Sequence, residues 1–234
     1  MNLDVASAIL LSLKVGLGAT VVGFLPALGA AFALSRGRFW GKGLLNAALS
    51  LPLVLPPVVV GLALLRLLGR GSPLGGALAA AGLPVTFSLL GALLAALVVG
   101  APLYVSTMRQ AIDAVDPRYE ALSATLGVSP WRTFWRVTVP LSAPGLAAGA
   151  VLAFARGLGE FGATVVIAGN IEGQTRTIAL AIYSLLDLPG DDPRLRQLAL
   201  ASVLLAALTV GAAELLRRAQ RARLGLDDRP GGGA

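Results

Sequence analysis

Long uncharged stretches alternate with short charged ones along this chain. Val15 to Leu34 carries no charge, and the apolar run extends toward Leu3 across Lys14. Leu44 to Leu65 is a second uncharged run. Residues 71 to 108 hold no charge at all; the GSPLGG at their start reads as a loop and Val85 to Met108 as a third span. Val137 to Ala155 begins a fourth run, interrupted by Arg156 and Glu160, and Leu198 to Ala213 is the fifth. A helix that crosses a bilayer needs about 20 mostly apolar residues. The pattern therefore predicts an all-α membrane protein of about five transmembrane helices, near 7–34, 44–68, 85–108, 140–168 and 197–216. Residues 1–218 form one transmembrane domain on this reading, and 219–234 a basic tail ending in a disordered DDRPGGGA. Residues 171–196 are polar enough to lie outside the bilayer, with TIALAIYSLL as a short helix at its surface.

Composition agrees with this and adds an orientation. Of the 234 residues 56% are hydrophobic and only 13% charged, against about 25% charged in soluble domains. There is no Cys and no His, which excludes disulfides, thiol chemistry and the usual zinc ligands. Asp4 precedes the first apolar run and no basic segment does, so that run is expected to stay as an anchor. Five spans put the termini on opposite sides. One side then holds 12 cations (Arg36, Arg38, Lys42, Arg109, Arg118, Arg132, Arg136, Arg217, Arg218, Arg221, Arg223 and Arg229). The other holds 5 (Arg66, Arg70, Arg176, Arg194 and Arg196), matched by Asp4, Glu172, Asp187, Asp191 and Asp192. The positive-inside rule places the first group in the cytoplasm, with the N-terminus outside and the C-terminus inside. The net charge of +7 thus reports membrane topology, not nucleic-acid binding.

Between the third and fourth spans lies a polar island, EALSATLGVSPWRTFWRVTVP, residues 120–140. Asp116 and Pro117 are a helix start, an N-cap acceptor followed by proline in the first turn. Val115, Tyr119, Leu122 and Leu126 then form an apolar stripe, with Asp116, Glu120 and Ser123 opposite, and Gly127 stops the helix. Ser129 and Pro130 start a second short helix carrying Trp131, Arg132, Trp135 and Arg136, and Pro140 marks the return into the bilayer. Trp and Arg suit both a headgroup anchor and a protein-docking hot spot, and the residues by themselves leave the two equal.

The island resembles the EAA loop of bacterial binding-protein-dependent ABC importer permeases. That pattern runs Glu-Ala-Ala, a Gly, nine residues, then Ile-x-Leu-Pro. Here nine residues follow Gly127 before Val137-Thr138-Val139-Pro140, while Glu120 is followed by Ala121, Leu122 and Ser123 and stands seven residues before the Gly instead of six. LNAALSLPLVLPPVVVGLALL, VLAFARGLGEFGATVVIAGNI and GQTRTIALAIYSLL are similar, in order, to the molybdate permease branch, with tungstate and sulfate permeases as the alternative. The resemblance implies a homodimer, two cytoplasmic ATP-binding subunits that hold ATP and Mg, and an extracytoplasmic oxyanion-binding protein. It implies no cofactor on this chain. Glu120, Ala121, Leu122, Ser123 and Gly127 would dock the ATPase as a coupling helix, flanked by Ser129, Trp131 and Arg132.

Three other features were candidates for chemistry. Arg156 and Glu160 stand one helical turn apart inside a span, either as a self-neutralising ion pair or as groups at a translocation path. Pro52, Pro56 and Pro57 in LPLVLPPVVVG would kink a pore-lining helix or merely disturb packing. GRFWGK fails as a phosphate loop, because only three residues separate Gly37 from Gly41 and Gly43 sits where Ser or Thr is needed. No carboxylate pair, Ser/His/Asp set or metal cluster is visible, so the chain is expected not to be an enzyme. A scaffold anchor would have no use for the Gly-x9-VTVP spacing. An ion-driven carrier would need coupling acids, and Glu160 is the only clear one.

Overall fold

Helix caps and prolines set the boundaries in a computed structural model that describes residues 4–186 and 192–224. α1 (Val5–Arg36) starts where the Asp4 carboxylate accepts the Ala6 N–H at 3.0 Å, and it continues through Pro26. α5 (Leu89–Asp113) starts at Ser88, whose hydroxyl accepts the Gly91 N–H. These two helices run side by side in the same direction. Gly18 lies against Leu93 and Gly23 against Leu97, and the Tyr104 hydroxyl donates to the Thr20 carbonyl at 3.1 Å. The chain between two parallel helices must cross back, and α2 (Lys42–Val54) with α3 (Pro57–Leu68) carries it.

That return is not a straight span: its two helices meet at 115°. Leu55 and Pro56 are extended, with ψ of 139° and 132°. A residue before proline avoids the α region, so the Leu55-Pro56-Pro57 run forces the break, and Pro57 opens α3 at its first position. Pro52 lies within α2. The expected 44–68 span is thus corrected to a broken crossing. Among the described residues four helices are long and apolar enough to cross a membrane, or five spans with the bent pair counted as one.

α8 (Val139–Leu158) runs back against α1 and α5, with Gly149 on Met108 and Gly157 on Gly16. It ends at Gly159, and the chain turns through Glu160 and Phe161 into the short α9 (Gly162–Ile167), which packs on α3. The expected fourth span, 140–168, is therefore one long helix and one short one. α11 (Pro193–Arg223) runs antiparallel to α8 and is capped by Asp192. Hydrogen bonds from the Arg194 side chain and backbone hold the Asp192 carboxyl below the usual carboxylate range. This helix reaches Arg223, past the 216 expected for the last span and into the segment read as tail; DDRPGGGA, like Asp187 and Asp191, lies outside the described residues.

Two further expectations change. GSPLGG is not a loop throughout, because Ser72 caps α4 (Pro73–Ala80) by accepting the Gly75 N–H at 2.9 Å. TIALAIYSLL does form a helix, α10 (Ile178–Leu186), but it is wedged between α1 and α11 with Ile178, Leu180, Ala181 and Leu185 buried. Its first N–H, on Ile178, donates to the buried Ser12 hydroxyl of α1 at 2.8 Å. The buried cores are built largely of Ala, Val, Leu and Gly, with Met108, Ile112 and Leu146 at one end and Val15, Val60, Val85 and Ile167 toward the other. Small residues let backbones approach where lipid supplies no hydrophobic drive for association.

Gly61 is the tightest of these approaches in the broken crossing: a Cβ there would stand 2.8 Å from the Ala163 Cα of α9. Gly61→Val should cost about 1–3 kcal/mol by overpacking, read as a lower thermal midpoint of the solubilised protein. An unchanged midpoint would mean that α3 and α9 do not meet here.

Candidate functional site

The polar island is built on one guanidinium. Arg36, in the last turn of α1, directs Nε at both oxygens of Glu120, at 3.1 and 3.2 Å. Its Nη2 donates to the carbonyls of Ile112 and Val115 at 3.1 and 2.7 Å, where α5 ends. The Glu120 carboxylate also accepts the Thr138 hydroxyl at 2.9 Å. Asp113 lies 3.9 Å from Arg36, and Ser35 donates a hydrogen bond to it. The two principal side chains are only 18% and 24% exposed, which shields the pair from the screening that makes surface ion pairs weak. Arg fits the task because its planar fork serves a carboxylate and two carbonyls at once.

Glu120 belongs to α6 (Pro117–Thr125), which starts as the sequence predicts, with the Asp116 side chain accepting the Arg118 N–H. Leu126 closes the helix and Gly127 takes φ +72°, a left-handed conformation that a β-carbon disfavours. The expected stripe divides on folding. Val115 is fully buried, while Tyr119, Leu122 and Leu126 are 51%, 61% and 75% exposed. Ala121 is exposed as well, and Ser123 returns its hydroxyl to the Tyr119 carbonyl.

The second half of the island differs from expectation. α7 (Pro130–Thr133), which begins after Ser129, is not a separate rod. It runs through a π-helical turn, Phe134–Thr138, directly into α8, and Pro140 lies inside that continuous helix. In the turn Val139 donates to the Phe134 carbonyl, one residue further back than in an α-helix. Phe134 points inward and meets Phe32 of α1 edge-on at 4.5 Å between centroids. Trp131 and Trp135 stay outside, 5.6 Å apart, with Trp131 69% exposed and Arg132 beside it. A crevice of about 440 Å³ remains between the halves, bordered by Phe32, Glu120, Gly127, Thr133 and Phe134.

Sequence reasoning named Glu120 but not its partners. Arg36 entered only as a topological charge and Thr138 only as a spacer in VTVP. No local periodicity connects residues 84 or 18 positions apart.

The other candidates lie elsewhere. Arg156 Nη1 meets Glu160 at 2.9 Å, and the second Glu160 oxygen accepts the Ala163 N–H at 2.9 Å. Glu160 is 2% exposed. It therefore binds the end of α8 to the start of α9 across the break. Pro56 and Pro57 stand at the bend of the return crossing and Pro52 within α2, apart from the island.

Removing Arg36 should free α6 without dissolving the spans. For Arg36→Ala, trypsin cleavage at Arg118 in detergent should accelerate about tenfold or more, as charge-assisted bonds worth about 1.5–3 kcal/mol each are lost. Arg36→Lys should fall between, keeping the charge but not the fork. Equal cleavage rates for all three proteins would exclude Arg36 as the clasp.

Comparison with known proteins gives a consistent answer. The family of binding-protein-dependent transport system inner membrane components matches residues 20–223. The molybdenum transport system permease protein ModB of Escherichia coli (strain K12) is 45% identical over 219 residues, 93% of this chain and 96% of that protein. Its counterpart in Haemophilus influenzae is 42% identical over 94% of this chain and 96% of its own length. Among solved structures, an inward-facing MetNI methionine ABC transporter superposes with a TM-score of 0.63, covering 94% of each chain at 16% identity, which shows the shared fold. This chain belongs to the binding-protein-dependent transport system inner membrane component family.

Proposed function

We propose that the chain is the membrane subunit of an ATP-driven importer that carries molybdate across the bacterial inner membrane. It would act as a homodimer on two cytoplasmic ATP-binding subunits, which hold ATP and Mg, and receive its oxyanion from an extracytoplasmic binding protein. The observation that carries the substrate is the 45% identity, along nearly the whole chain, to a molybdenum permease. The orientation follows from charge. Arg36, Arg109, Arg118, Arg132 and Arg217 all lie at the end of the bundle where α1 stops, the end that the positive-inside rule assigns to the cytoplasm.

Tyr119, Leu122, Leu126 and Trp131 are exposed apolar groups of the island at this end, and aromatic and Arg side chains anchor contacts with partners. Docking through them leaves Glu120 free for its internal task. When two ATPases close, the force reaches α6 and passes through Glu120 into α1 by Arg36, into α5 by the two carbonyls, and into α8 by Thr138. α7 needs no joint at all, being continuous with α8. Three spans would then move as one body, the condition for a hinge or rocking transition. The Arg156 charge is spent on a buried carboxylate, so the pair serves as a structural brace and no substrate site is assigned to it.

Gly127→Val should uncouple the machine. A β-branched residue at φ +72° costs about 1–2 kcal/mol and redirects α6 relative to α7. Uptake of radiolabelled molybdate, in vesicles holding the ATPase and supplied with the binding protein, should drop at least tenfold while basal ATP hydrolysis persists. Normal uptake with normal stimulation of hydrolysis would refute the coupling role. Labelled sulfate accumulating in place of molybdate in the natural protein would refute the substrate. Arg156→Ala should lower the thermal midpoint while leaving uptake per folded transporter unchanged; loss of uptake in stable protein would put Arg156 on the path.

A further inference from the structure

α11 ends in a feature that coupling does not use. The seventeen residues from Gln197 to Ala213 carry no charge, a length of about 25 Å as helix. Arg217 and Arg221 follow one and two turns later, about 6 and 12 Å further along the axis. That is the depth of lipid headgroups, just past a hydrocarbon core of about 30 Å. The outer face of α11 above them is apolar and bare, with Leu204, Leu208 and Leu215 each more than 60% exposed.

Here α11 stands away from α5 and leaves a crevice of about 220 Å³. Arg217 and Arg221 form one wall and Thr107 and Gln110 of α5 the other. The floor is fixed by Gln220, which is 7% exposed and donates to the Ala111 carbonyl at 2.9 Å. Only a glycine fits beneath it, because any side chain at 145 would overlap its amide. Among the described residues no carboxylate lines the crevice. Glu214, one turn above, is engaged by Arg218 at 3.0 Å and reaches Arg217 only at 3.7 Å, and Arg221 makes no salt bridge among the described residues. In the last turns of α11 one acid, Glu214, thus faces the four cations Arg217, Arg218, Arg221 and Arg223. The crevice near the end of α2 differs: it is lined by Arg109 and Asp113 together, which neutralise each other at 3.4 Å.

We propose that the α5–α11 crevice binds the phosphate headgroup of an anionic phospholipid. Two guanidinium forks can grip phosphate oxygens bidentately, and a hydroxyl and an amide opposite them supply further donors. The acyl chains would lie along the exposed leucines of α11. Basic side chains in the last turn also offset the negative end of the helix dipole. That alone requires neither an opening between two helices nor a glycine and a locked glutamine to shape it. Bound lipid would clamp the inner end of α11 to α5.

The test uses the complete transporter in nanodiscs of phosphatidylcholine, with or without phosphatidylglycerol. Phosphatidylglycerol should raise the thermal midpoint by about 3–6 °C. The doubly substituted Arg217→Gln, Arg221→Gln transporter should lose most of that shift. Arg66→Gln with Arg70→Gln, which removes equal charge from the other end, should keep it. An equal shift in the crevice variant would overturn the proposal. So would protection by inorganic phosphate at millimolar concentration that matches the lipid, since the site would then take a soluble anion. Should the variant fail to assemble, photoactivatable phosphatidylglycerol on the natural transporter decides. Labelling concentrated at 107–114 and 217–224 supports the site, and labelling elsewhere, or equal labelling by the phosphatidylcholine analogue, overturns it.

Discussion

The guanidinium of Arg36 is the constraint on which the end of the bundle where α1 stops depends. It stands in the last turn of α1, donates to the Ile112 carbonyl in the last turn of α5 and to the Val115 carbonyl just beyond it, and binds the carboxylate of α6. Carbonyls at helix ends need partners from outside the regular ladder, and here one side chain from a neighbouring helix adds donors to two carbonyls where α5 gives way to the turn. Its partner Glu120 adds the Thr138 hydroxyl, so four elements share a single charge pair. Burying that pair only partly keeps its desolvation cost low while limiting screening by solvent.

Glu120 shows how a motif can be located while its contacts stay hidden. Sequence marks it as the first residue of a docking loop, and in the fold its carboxylate accepts hydrogen bonds from Arg36 and Thr138. The outward groups are Tyr119, Leu122, Leu126 and Trp131. Leu122 stands where the related pattern carries alanine, and it offers a larger apolar contact. That departure from the pattern is thus at the exposed surface, and the inward clasp keeps its acid.

Bilayer thickness made the spans legible, because it demands a run length that no other feature of the sequence imitates. Run length says nothing of direction. Leu44 to Leu65 reads as one uncharged stretch, although Leu55 and Pro56 turn it through 115°. Pro140 reads as a boundary, yet it lies within a continuous helix, and the π turn before it has no compositional sign. The partners of Glu120 were hidden for a simpler reason: tertiary contacts between Arg36 and residue 120 leave no periodic trace. Ser72-Pro73, by contrast, was a readable helix start, outweighed in the reading by the glycines that follow it.

The π turn at Phe134–Thr138 sets the angular phase of the whole overhang. It holds one residue more than the α-helix would need for the same advance, and one residue in an α-helix is about 100° of rotation. Phe134 is thereby aimed at Phe32 while Trp131 and Trp135 face outward. Tightening that turn to an α-helix would rotate everything before it by roughly that angle about the axis of α8. The exposed indoles of Trp131 and Trp135 would swing to another side of the bundle although no contact within the spans had changed.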